Sequence, residues 1–200
     1  MDKIKLVAIL RGIRPAEAAE HIATLVGEGF RYIEIPLNSP DWRQSIPQMV
    51  ARFGEQAVIG AGTVLKVEQV DFLADAGAKL IVTPNTQPAV IRRAVARGMR
   101  VCAGCATATE AFSALDAGAQ WLKIFPSSAF GPDYIRALKA VLPPEVPVLA
   151  VGGVTPENLA SWVRAGCAGA GLGSDLYRAG QAVERTRQQA ERFIAAARCA

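Results

Sequence analysis

A glycine recurs in this chain at one kind of place, after a helix-like stretch and just before an apolar run. Gly29 precedes Phe30-Arg31-Tyr32-Ile33-Glu34-Ile35, and Gly77 precedes Ala78-Lys79-Leu80-Ile81-Val82-Thr83. Gly98 stands before Met99-Arg100-Val101-Cys102, Gly118 before Ala119-Gln120-Trp121-Leu122-Lys123-Ile124-Phe125, and Gly166 before Cys167-Ala168-Gly169. A glycine just past a helix can take the left-handed conformation that closes it, and a short apolar run after it reads as a buried strand. The junctions recur about every 20 to 25 residues, or at twice that interval where one lacks this form, as in repeated β-α units on a parallel sheet.

Eight such strands can be placed, at about 5–10, 32–36, 58–61, 80–83, 100–103, 121–125, 148–151 and 169–172. The gaps hold helices. Thr107-Ala108-Thr109-Glu110 is a capping box, and Thr155-Pro156 pairs a cap with proline at the first helical position. Pro15 opens a helix whose Ala18, Ile22, Leu25 and Val26 share an apolar face. Eight β-α units in 200 residues predict one domain, residues 1–200, folded as a single (β/α)8 TIM barrel, although such barrels usually run to ~250 residues. A doubly wound open sheet is the architectural alternative, but no G-x-G-x-x-G fingerprint follows the first strand.

Composition narrows the function. A chain that is 51% hydrophobic and 20% charged reads as soluble and globular. No apolar run approaches the roughly 20 residues that a bilayer requires, so no membrane partner is expected. Met1-Asp2-Lys3-Ile4-Lys5 leads directly into the first strand without a cleavage site, which points to the cytoplasm. The net charge is +4, and its densest cluster, Arg185, Arg187, Arg192 and Arg198, is interleaved with Glu184 and Glu191. That pattern is a solvated helix face rather than a nucleic-acid stripe. Cys102 and Cys105 have C-x-x-C spacing, but a structural zinc needs four ligands, and the single histidine, His21, lies in a polar helical stretch and is expected to be exposed. The pair reads as small apolar core residues, and no metal site is expected.

In such a barrel, chemistry gathers where strands end. The first strand ends at Arg11, and the second carries Glu34 and then Asn38. The third ends Gly60-Ala61-Gly62-Thr63, the fourth Thr83-Pro84, the seventh Val151-Gly152-Gly153 and the eighth Gly173-Ser174. Lys123 interrupts Trp121-Leu122-Lys123-Ile124-Phe125, so alternation puts it inside the barrel if Leu122 and Ile124 face the helices. Desolvation would lower its pKa toward a nucleophilic amine; the other reading is a snorkelling or ion-paired structural lysine. Glu34 obeys the same geometry between Ile33 and Ile35. The two groups either pair or divide nucleophilic and proton-transfer work. Glycines after strands seven and eight let backbone N–H groups approach a phosphate, unless they are only tight turns.

With these residues placed, the chain resembles the 2-keto-3-deoxy-6-phosphogluconate/6-phosphogalactonate aldolase family. The motifs that carry the resemblance are Ala8-Ile9-Leu10-Arg11-Gly12, Glu34-Ile35-Pro36-Leu37-Asn38-Ser39-Pro40, Gly60-Ala61-Gly62-Thr63-Val64-Leu65, Ile81-Val82-Thr83-Pro84-Asn85, Leu122-Lys123-Ile124-Phe125-Pro126 and Val151-Gly152-Gly153-Val154. Six motifs in order, spread from about Val7 to the last helix, are specific together, and they lie nearest the 6-phosphogalactonate branch. The resemblance implies a class I aldolase that works without metal or cofactor and releases pyruvate and glyceraldehyde 3-phosphate from a phosphorylated keto sugar acid. It implies that Lys123 forms the Schiff base, that Glu34 is the general acid/base, and that Arg11 and Thr63 bind the keto-acid end; Thr83 and Val151, at the ends of strands four and seven, are expected as further substrate contacts. Gly152, Gly153, Gly173 and Ser174 match the phosphate site, and family members are typically homotrimers. Two positions depart from the gluconate-type pattern, which usually has Arg at Asn38 and Thr at Val151. Two rival functions are a cofactor-independent phosphosugar isomerase or epimerase and a non-catalytic phosphosugar-binding barrel that needs the glycines but not Lys123.

Overall fold

Each of the five junction glycines closes a helix in the left-handed region, with φ between 70° and 102°. The hydrogen bonding repeats from one junction to the next. Gly29 N donates to Val26 O while Phe30 N reaches back to Leu25 O, and Gly77/Ala78, Gly98/Met99, Gly118/Ala119 and Gly166/Cys167 do the same. This double bond pattern satisfies the last helical carbonyls, and the residue after the glycine turns inward. Phe30, Ala78, Met99, Ala119 and Cys167 are all buried, so each junction anchors the next strand to the core.

The computed structural model describes residues 4–200; Met1, Asp2 and Lys3, the start of the segment read as lacking a leader, lie outside the described residues. The strands are β1 (Lys5–Ile9), β2 (Tyr32–Pro36), β3 (Val58–Gly62), β4 (Leu80–Val82), β5 (Arg100–Cys105), β6 (Trp121–Ile124), β7 (Val148–Val151) and β8 (Gly169–Leu172). They pair in parallel in chain order, and β8 returns to β1 with Lys5 opposite Gly169 and Val7 opposite Gly171. That closure makes the sheet a (β/α)8 barrel and rules out the open doubly wound sheet. The helices are α1 (Pro15–Gly27), α2 (Trp42–Phe53), α3 (Val67–Asp75), α4 (Pro88–Ala96), α5 (Ala108–Asp116), α6 (Ser127–Lys139), α7 (Leu159–Arg164) and α8 (Val183–Cys199).

Two-residue alternation divides the core. Ile33, Ile35, Leu122 and Ile124 face outward and join the cluster shared with the helices. Val7, Ile9, Leu80, Val82, Cys102, Trp121, Leu149 and Val151 form a separate inner cluster. Below the site, Trp121 meets Tyr32 edge-on at 4.9 Å, and the Arg100 guanidinium lies 4.9 Å from the Trp121 ring, which plugs the barrel floor. Cys102 belongs to the inner cluster and Cys105 to the outer one, so the C-x-x-C pair faces opposite sides of β5.

Local signals hold with two corrections. Thr107 Oγ1 accepts from Glu110 N, while the Glu110 carboxylate accepts from Ala106 N, completing a reciprocal cap at the head of α5. Thr155 caps as well, through reciprocal bonds with Asn158, but it closes a single turn and regular α7 begins only at Leu159. His21 is not exposed. It is 1% accessible, its Nδ1 lies 2.8 Å from Thr186 Oγ1, and its ring meets Tyr177 edge-on at 5.0 Å. One polar side chain bonded across 165 residues can sit inside a helix face that otherwise reads as polar. The four arginines of α8 are exposed; Arg187 pairs with Glu28 and Glu184, and Arg192 with Glu157. Among the described residues, no helix is long and apolar enough to cross a membrane.

Candidate active site

Lys123 enters the barrel because its neighbours cannot. Leu122 and Ile124 are fully buried against the helices, which leaves Lys123 on the inner face of β6, only 5% exposed. Burial pulls its pKa below the ordinary lysine value, opposed by the negative charge that Glu34 brings nearby. Its Nζ lies 4.8 Å from the centre of the Phe125 ring.

Glu34 stands on β2, 2% exposed, and desolvation raises its carboxyl from 4.5 to about 7. Lys123, Arg11 and the backbone of Gly62 all pull the other way and do not overcome burial. Each group shifts the other's titration, yet among the described residues they form no ion pair and Glu34 Oε2 has no hydrogen-bond partner. A buried carboxylate oxygen left free is costly, and such costs concentrate where a group is kept available for chemistry. Gly62 makes room for it, since a Cβ at that position would lie well inside 3.0 Å of both carboxylate oxygens.

A cavity of about 390 Å³ opens at the C-terminal ends of the strands. Arg11, Thr63, Lys123 and Val151 line one part, and Gly152, Gly153, Gly173 and Ser174 line another. Arg11 Nη1 donates to Asn38 Oδ1 at 2.6 Å, which fixes the guanidinium at the rim. Thr63 sits in the left-handed region at φ 56°, unusual for a β-branched residue and a form of strain found at ligand sites. Gly152 and Gly153, at φ 98° and 74°, turn the chain out of β7. A Cβ at Gly153 would lie 2.7 Å from that of Ser128. Among the described residues, the amides of Gly153 and Ser174 donate to no acceptor in the protein.

Glu34 does not line this cavity, and neither does Thr83. The latter is completely buried, donates to Asn85 O at 2.7 Å and accepts from Gly104 N at 3.1 Å. Its neighbour Pro84 lines the cavity in its place. Ile9, Phe125, Gly171 and Asp175 also line it and were not singled out from the sequence; alternation could have found Ile9, two residues before Arg11. A larger cleft of about 1110 Å³ lies at the other end of the barrel, between Glu28–Tyr32 and the end of α8, and holds none of the predicted residues.

Comparison with known proteins agrees with this geometry. The chain is 69% identical over 196 residues to the 2-dehydro-3-deoxy-6-phosphogalactonate aldolase of Escherichia coli (strain K12), covering 98% of this chain and 96% of that protein. It is 48% identical over 191 residues to the probable 2-dehydro-3-deoxy-6-phosphogalactonate aldolase of Rhizobium meliloti (strain 1021), covering 96% and 90%. A native KDPGal structure superposes with a TM-score of 0.97 at 68% identity, covering 99% of this chain and 96% of that one. The family model for KDPG and KHG aldolase matches residues 1–192, every strand of the barrel included, and the chain belongs to that family.

Proposed function

We propose that this chain is a class I aldolase that cleaves 2-dehydro-3-deoxy-6-phosphogalactonate to pyruvate and D-glyceraldehyde 3-phosphate. One observation carries the reading: a buried lysine on β6 lines the barrel mouth, and a buried carboxyl on β2 lies close enough that each group shifts the other's titration. An isomerase needs only the carboxyl, and a binding module needs neither. Identity of 69% with an aldolase of that name supports the substrate.

The neutral amine of Lys123 attacks the C2 carbonyl, and loss of water gives an imine. Once protonated, the imine draws electrons from the neighbouring bonds, the activation that a metal would otherwise supply. Glu34 takes the proton of the C4 hydroxyl, the C3–C4 bond breaks, and its electron pair passes into an enamine as the aldehyde leaves. Glu34 then returns a proton to C3, and water hydrolyses the imine to pyruvate and free lysine. A carboxyl near 7 suits both directions of transfer at neutral pH. Arg11, held by Asn38, is the partner for the substrate carboxylate, with Thr63 beside it. Thr83 supports the site from behind rather than touching substrate. The free amides of Gly153 and Ser174, with Gly152 and Gly173, form the phosphate cradle. Val151 offers no hydrogen bond, and in this reading it favours the galactonate over the gluconate epimer.

The assembly that fits is a homotrimer. Phe112 and Phe130 are exposed, and a cage designed by fusing symmetric oligomeric domains contains a chain 69% identical to this one. A cytoplasmic location belongs to the same reading, because a phosphorylated sugar acid does not cross a bilayer unaided. Borohydride reduction with pyruvate, followed by mass spectrometry, tests the proposal. A pyruvate adduct on Lys123 is expected, and an enzyme that turns over without one is not a Schiff-base aldolase.

A further inference from the structure

The loop from β8 to α8 begins with Gly173 and Ser174 at the cavity and is held from the side away from it. Gly173 O accepts the amides of Leu176 at 3.0 Å and Tyr177 at 2.9 Å, making a single turn. Tyr177, 2% exposed, sends its hydroxyl to Glu17 Oε1 on α1 at 3.0 Å and rests its ring against His21. His21 bonds Thr186 on α8, and Thr186 Oγ1 also takes Gln181 Nε2 at 2.8 Å. Gln181 then closes on the loop, with Nε2 reaching Leu176 O at 3.0 Å and Oε1 accepting Arg178 N at 3.0 Å. The loop is therefore pinned between two helices by one polar cluster, in which Tyr177, His21 and Thr186 are buried and Glu17 and Gln181 half-buried, and none of these side chains lines the cavity. A fully satisfied buried cluster specifies one geometry, and losing a member releases it.

We infer that Tyr177 is a positioning residue, which through Glu17 and His21 sets the Gly173–Ser174 turn at the distance from Gly152–Gly153 that a phosphate requires. The inference rests on the phosphate site proposed above and adds what holds it in place. Lys123 and Glu34 stand on β6 and β2, outside this cluster, so loosening the turn weakens phosphate binding and leaves imine formation intact.

Tyr177→Phe keeps the ring against His21 and removes only the hydroxyl. Glu17→Ala removes the acceptor, and Glu17→Gln restores it. KM for the phosphorylated substrate is expected to rise about fivefold to tenfold in Tyr177→Phe, in line with one lost half-buried hydrogen bond, and at least as much in Glu17→Ala, which also removes the acceptor of the Arg14 amide at the head of α1. The kcat stays within about twofold, and Glu17→Gln returns KM close to wild type. Inhibition by inorganic phosphate should weaken in parallel, while pyruvate trapping on Lys123 is unchanged. An unmoved KM in Tyr177→Phe and Glu17→Ala, or a falling kcat with KM constant, overturns the inference. Ser174→Asp separates the two levels. If it leaves phosphate inhibition untouched, the phosphate site itself is wrong; if it abolishes inhibition while Tyr177→Phe does not, only the positioning role fails.

Discussion

Gly62→Ala should nearly silence turnover while sparing the lysine. Gly62 lies outside the left-handed region, so alanine fits the backbone there and the substitution probes space alone. The new Cβ would fall well under 3.0 Å from both oxygens of Glu34, whereas ordinary contact begins near 3.4 Å. The carboxylate must therefore retreat by roughly an ångström, and its buried surroundings offer no slack in which to do so gently. A misplacement of that size at a reacting group costs about 10²-fold in rate. Two measurements separate the outcomes. Steady-state cleavage should fall about a hundredfold, while the yield of borohydride-trapped pyruvate on Lys123 stays close to wild type because that amine is untouched. Turnover within about threefold of wild type would mean either that Glu34 moves aside freely or that it does not carry the proton.

Lys123→Ala should remove both adduct and cleavage; an adduct on Lys79 or Lys139 in the wild type would refute the assignment. Glu34→Gln should still trap pyruvate but turn over about 10²-fold more slowly or worse. It should also stabilise the fold. Between about pH 4.5 and 7 the folded chain keeps a proton that the unfolded chain has released, so wild-type stability falls as pH rises through that window. Above it the variant is expected to gain on the order of 3 kcal/mol at most in chemical denaturation, and no gain at pH 8 would contradict the burial argument. Val151→Thr replaces a methyl with a hydroxyl at nearly constant shape and should shift the kcat/KM ratio about fivefold to tenfold toward the gluconate epimer. A wild type that strongly prefers that epimer, or a ratio unmoved by the change, would show that Val151 does not read the sugar configuration.

The barrel was legible because its punctuation is local. A glycine that must adopt positive φ, followed by a residue that must bury, is visible within six positions, and all five junctions behaved alike. Lys123 and Glu34 were legible because a charge flanked on both sides by large apolar residues has only one way to face in a strand. What escaped was long-range. His21 lies among polar neighbours and is buried by Thr186 and Tyr177, more than 150 residues away. Thr83 carries a site-like motif, yet Gly104 and Asn85 claim its hydroxyl. Neither outcome follows from local pattern, because His21 needs Thr186 and Thr83 needs the Gly104 amide, partners that only the fold brings together.

The inner-facing glycines show the same limit at the level of single atoms. Cβ atoms at Gly60, Gly104 and Gly169 would strike backbone of the adjoining chain, at Leu80, Pro84 and Lys5 respectively. These glycines let neighbouring strands close into a small ring, and any side chain there would strain the barrel itself. Gly62 and Gly171 would instead meet side chains, the Glu34 carboxylate in one case and Val151 with Ile9 in the other. Gly62 leaves the space that the Glu34 carboxylate fills, and Gly171 leaves space beside Val151 at the cavity wall. Gly60 and Gly62 are two residues apart on one face of one strand, and the sequence writes them identically. Their roles differ because Gly60 faces a neighbouring backbone and Gly62 faces a carboxylate. Alanine at Gly60 should therefore cost folding, and alanine at Gly62 should cost catalysis.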